Sequence, residues 1–88
     1  MTPFADIPKN LEILSEECAE VIRIKSKIVR FGIDNYHPKN GAPNRQAFET
    51  ECGHVLAMIE ILTENGILTS QGLQAAKELK KETMREWY

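Results

Sequence analysis

Along residues 10–31, isoleucine, leucine and valine recur every three or four positions, the period of an α-helix. At 100° per residue, Glu17 falls in the middle of an arc formed by Ile13, Leu14, Val21, Ile24 and Ile28. Leu11, Ile22 and Val29 widen the apolar surface on the other side, and a stripe that wide needs more than one packing partner. Asp6-Ile7-Pro8 reads as the helix start, a capping carboxylate with proline in the first turn, and Gly32 reads as its end. Residues 32–44 are punctuated by glycine, proline and asparagine and read as a loop. A second helix is expected from about Arg45 to Glu64, closed by Asn65-Gly66, with Phe48, Val55, Met58, Ile59 and Leu62 around Glu51. Thr69 or Ser70 can cap a third helix, whose apolar face is Leu73, Ala76, Leu79, Met84 and Trp87. No stretch alternates as a strand would, and there is no internal repeat or low-complexity tract. The pattern predicts an all-α fold, a small helical bundle.

Eighty-eight residues suffice for one small domain, taken as 1–88. Its core is thin, and such domains gain burial by oligomerising. A net charge of −2 is too near neutral to point to nucleic acid or an anionic membrane. No apolar run approaches the length of a bilayer span, and the first ten residues lack the basic-then-apolar order of a secretory signal. The expected setting is therefore the cytoplasm, with Cys18 and Cys52 reduced. Both thiols fall on apolar faces, where a free cysteine is usually a small buried hydrophobe. There is no C-x-x-C spacing, and Cys52 and His54 point different ways from one helix, which disfavours a thiol–imidazole pair.

The chemistry of interest sits within the apolar faces. Glu17 is central on the first, with Glu20 one turn on and Glu16 beside it; Glu51 is central on the second, with His54 one turn on. A carboxylate among aliphatic side chains needs a compensating charge. One account is a shared divalent cation such as Mg²⁺ or Mn²⁺, which take oxygen ligands. The other is a set of ordinary border charges paired with Arg23, Lys25 or Lys27. Two glutamates, each central and each with a partner at i+3, favour the cation.

Three further features are candidates. Tyr36, His37 and Lys39 form either a ligand-contacting lid or an exposed connector. Gly53, unfavourable within a helix, permits close helix approach or leaves room beside the site. Lys77, Lys80, Lys81 and Arg85 make a basic face that is either solvated or reaches a polyphosphate. Glu49, Glu60 and Glu64 read as solvated charges.

Glu16-Glu17-x-x-Glu20 on one helix, then Glu51-x-x-His54 on the next, resembles the EExxE and ExxD motifs of the MazG-like all-α nucleoside triphosphate pyrophosphohydrolases. The likeness covers the first two helices well and the third loosely, and departs from the family at His54, where aspartate is usual. It implies a helical bundle completed by homo-dimer or homo-tetramer formation. It also implies Mg²⁺-dependent cleavage of the α–β phosphoanhydride of a nucleoside triphosphate, giving a monophosphate and pyrophosphate. By motif, Glu17, Glu20 and Glu51 would be direct metal ligands, His54 would take the remaining ligand position, and Glu16 would be an outer ligand or position the attacking water. Glu16 and Glu17 are thus the expected catalytic residues, and Lys77, Lys81 and Arg85 the expected contacts to departing phosphate. The imidazole softens the site towards Mn²⁺, so a degenerate module that binds nucleotide or a partner without hydrolysis is the alternative. Phosphoribosyl-ATP pyrophosphatase, which uses similar acidic helices, fits the surrounding residues less well.

Overall fold

In the computed structural model, residues 4–36 and 41–88 are described; His37 and Lys39 lie outside them. The elements are α1 (Ile7–Phe31), α2 (Asn44–Glu64) and α3 (Ser70–Trp87), with no strand among the described residues beyond an isolated bridge between Tyr36 and Pro43. The expected boundaries hold to within a residue or a turn because each terminus carries its own local chemistry. Asp6 caps α1 by accepting from the Lys9 amide at 3.1 Å, and Thr69 caps α3 by accepting from the Gly72 amide at 3.0 Å. At the end of α2, Gly66 takes φ 81°, its amide donates to the Thr63 carbonyl and the Ile67 amide to the Leu62 carbonyl. This double return is open to glycine because a Cβ would strain that backbone.

α1 and α2 pair as an antiparallel hairpin whose centre is Ile24, Met58 and Leu62, all buried. Two asparagines clamp its ends. At one, Asn44 Nδ2 donates to the Gly32 carbonyl at 2.9 Å, while the Asn44 and Arg45 amides donate to the Asn35 and Ile33 carbonyls. Beside it Asp34 pairs with Arg45 at 2.9 Å, and the guanidinium holds its carboxyl below the usual carboxylate range. At the other, Asn10, 4% exposed, donates to Asn65 Oδ1 at 2.8 Å and to the Phe4 carbonyl at 3.0 Å; Asn65 Nδ2 also reaches that carbonyl.

α3 stands apart. None of its residues is buried, and it makes no contact with α1 or α2 comparable to theirs with each other. The Cα trace is flat, measuring 42 × 38 × 15 Å. Its radius of gyration, 15.8 Å, exceeds the roughly 12 Å of a compact domain this long. The helices therefore form a single layer. Leu11, Ile22 and Val29, the second side of the α1 stripe, are exposed, as are Leu79 and Trp87 on α3. Gly53 permits no close helix approach within the chain, since a Cβ there would meet nothing within 4 Å. No helix is long and apolar enough to cross a membrane among the described residues.

The Asn10 clamp yields a direct test. Asn10→Ala leaves the buried end of the hairpin without its donor and is expected to lower stability by about 1–3 kcal/mol. The measurement is the urea unfolding midpoint.

Candidate metal centre

Midway along the hairpin, Glu17 on α1 faces Glu51 and His54 on α2. Glu51 and His54 are three residues apart, hence neighbours on one helix face. His54 Nδ1 lies 3.1 Å from Glu17 Oε2 and 3.2 Å from Glu51 Oε2. One ligand atom from each of the three residues lies within 4.8 Å of the others. An imidazole Nδ1 carries at most one proton and cannot donate fully to two carboxylates at once. At most one of the two carboxylates can therefore receive a full hydrogen bond from that nitrogen.

The donor set suits a small divalent cation. Ligands at right angles around an ion at about 2.1 Å are about 3.0 Å apart, and opposite ones about 4.2 Å. The two imidazole–carboxylate separations, 3.1 and 3.2 Å, lie near the first of these values. The donors are two carboxylates and an imidazole, a set that suits Mn²⁺ at least as well as Mg²⁺. The same Nδ1 can hold a proton or a metal, but not both.

The cluster is more open than a site central on an apolar arc implies. The side chains of Glu17 and Glu51 are 25% and 19% exposed and that of His54 50%. The reason is the single layer: the seam is covered on neither face by a third helix, so water reaches its middle. Full desolvation of these carboxylates is therefore not what the chain alone imposes.

The other expected residues are placed as follows. Glu20 is turned to Arg23, its Oε2 accepting from Nε at 2.9 Å and Nη2 at 2.8 Å, so for this residue the border-charge account holds. Glu16 is exposed beside Glu17. Lys81 and Arg85 line a shallow groove on α3 with Lys80, Met84 and Tyr88, and Arg85 pairs with Glu82 at 2.9 Å. Lys77, also on α3, is exposed. Cys52 is half-buried, but Cys18 is exposed rather than buried, again because that face of α1 has no neighbour in the chain.

Two cations that the sequence reading treated only as partners for carboxylates have a further position. Arg23 and Lys27 line a cleft of about 340 Å³ between α1 and the start of α2, and Glu51 forms part of its wall. Their i, i+4 spacing was a usable signal that they share a face.

No known family, curated protein or solved structure matches the chain.

Metal binding is directly measurable. Titrating Mn²⁺ is expected to raise the unfolding temperature, since a ligand at a hundredfold excess over its Kd adds about 2.7 kcal/mol to the folded state. Glu17→Gln and Glu51→Gln are expected to abolish the shift, and Glu20→Gln to reduce it less. No shift at millimolar Mn²⁺ or Mg²⁺ counts against the centre.

Proposed function

We propose that this chain is a divalent-metal-dependent nucleotide pyrophosphohydrolase. It hydrolyses the α–β phosphoanhydride of a nucleoside triphosphate to a monophosphate and pyrophosphate. The observation that supports this most is the meeting of Glu17, Glu51 and His54 from two helices, at the positions of the two motif halves. Water attack on a phosphoanhydride is slowed by the charge on the phosphates. Mg²⁺ or Mn²⁺ would neutralise that charge and acidify a bound water. Glu17 and Glu51 would hold the ion across the seam, and His54 would complete the set from the same face as Glu51.

Glu20 would have to leave Arg23 to reach an ion there. That pair is exposed, with side chains 44% and 52% accessible, and such pairs contribute only about 0–1 kcal/mol, so its release costs little. By motif, Glu16 would be an outer ligand or help position the attacking water, and a carboxylate would take the water's proton. His54 in place of a third acidic group removes one negative charge from the site and shifts its preference towards Mn²⁺.

The reading includes a homo-dimer or homo-tetramer. Support comes from the exposed apolar row Leu11, Ile22 and Val29 and from an α3 with no buried residue, surfaces that a second copy would cover. Closing the layer would also desolvate the centre and strengthen its electrostatics.

A second reading, a non-catalytic helical module that binds nucleotide or a partner, is favoured by one observation. His54 Nδ1 lies within hydrogen-bond distance of both Glu17 and Glu51, and Glu20 pairs with Arg23, so these carboxylates have protein groups beside them.

A panel of nucleoside triphosphates with Mg²⁺ or Mn²⁺ separates the two. The expected products are a monophosphate and pyrophosphate, with Mn²⁺ the better activator. Orthophosphate release contradicts α–β cleavage. Metal binding without turnover of any triphosphate supports the non-catalytic module. His54→Asp is expected to raise Mg²⁺-dependent turnover; an unchanged or lower rate shows that His54 is not what limits the site.

A further inference from the structure

The cleft beside Glu51 contains more positive charge than the hairpin uses. Arg23 and Lys27 lie one turn apart on α1, on the same face. Arg23 spends two of its five N–H groups on Glu20. Lys27 is half-buried, and among the described residues its ammonium has no ion-pair partner. The opposite wall is the first two turns of α2, the positive end of a helix dipole, with no acidic residue in the first turn. Gln46 and Thr50 add an amide and a hydroxyl that have no protein partner among the described residues. The single carboxylate on the lining is Glu51, which also belongs to the metal cluster.

We infer that this cleft is an anion subsite that takes the phosphate chain of a polyphosphate ligand, with Lys27 and Arg23 as its cations. The geometry gives the direction. Arg23 and Lys27 lie six and ten residues beyond Glu17, about 9 and 15 Å along the helix axis. A chain of phosphates can therefore run from the Glu17–Glu51–His54 centre towards the loop end of the hairpin, with one end at the centre and the other between the two cations. The inference extends the pyrophosphohydrolase reading, on which the nature of the ligand rests. It moves the phosphate contacts from α3 to α1 and needs no second copy to assemble them.

The test is calorimetric titration of the whole chain with inorganic tripolyphosphate, with and without Mn²⁺, alongside Mn²⁺ binding measured by electron paramagnetic resonance. Lys27→Gln is expected to weaken tripolyphosphate binding about tenfold or more, the usual effect of losing a hydrogen bond to a charged group. Its Mn²⁺ affinity is expected to stay within about twofold, an effect well under 1 kcal/mol. Lys27→Arg is expected to restore most of the loss. Lys25→Gln removes the same charge from an exposed position of α1 outside the cleft and is expected to have little effect. Repeating the series with a nucleoside triphosphate and with a nucleoside monophosphate separates recognition of the phosphate chain from recognition of the nucleoside.

Unchanged binding in Lys27→Gln, or an equal loss in Lys25→Gln, overturns the subsite. A loss confined to Lys81→Gln on α3 does the same. Lys27-dependent tripolyphosphate binding without Mn²⁺ binding or turnover keeps the subsite and removes the hydrolase reading. Wild-type KM for a triphosphate in Lys27→Gln removes the subsite and keeps the hydrolase.

Discussion

The structure depends on the antiparallel seam between α1 and α2. Ile24, Met58 and Leu62 are the buried hydrophobic side chains of the described residues, and all three lie in that seam. Burying each is worth about 1.5–3 kcal/mol, so so few of them cannot stabilise a domain by themselves. What they do is fix register. With Asn10 holding one end and Asn44 the other, α1 cannot slide against α2 without leaving buried amides unpaired. That register sets Glu17 opposite Glu51 and His54.

A hairpin so pinned has an unbalanced middle. Two carboxylates approach one imidazole nitrogen, and the ring can satisfy them only in part. Where water has free access such crowding costs little, and the observed exposure of the three side chains is consistent with that. If a second copy covers the seam, the same arrangement becomes expensive without a cation. Closure of the layer and occupation of the centre are then linked, because each makes the other more favourable.

The flat shape carries the same message from the apolar side. α1 presents aliphatic residues over about half its circumference, and α2 covers one side of it. α3 is amphipathic, yet buries nothing. The proposed bundle shared between copies would cover such surface. The Arg23–Lys27 cleft is different in kind, since α1, the following loop and α2 of one chain build it completely.

The three helices were legible in the sequence to the residue or nearly so, because their limits are set by local chemistry: Asp6, Gly32, Asn65-Gly66 and Thr69 act on the backbone within a turn. The pairing of Glu17 with Glu51 was legible for a related reason, as each lies at the centre of the apolar arc that must face a neighbour. The rest depended on contacts between residues far apart in the chain. Rotamer and neighbour choice turned Glu20 to Arg23 and not to the centre. The absence of a covering helix left Cys18, Val29 and the lysines of α3 in solvent, where apolar periodicity alone assigns the first two to a packed face. Periodicity says which side of a helix is apolar, but only the tertiary structure decides how many neighbours come to cover it. In this chain one neighbour comes, and the rest of the apolar surface stays in solvent.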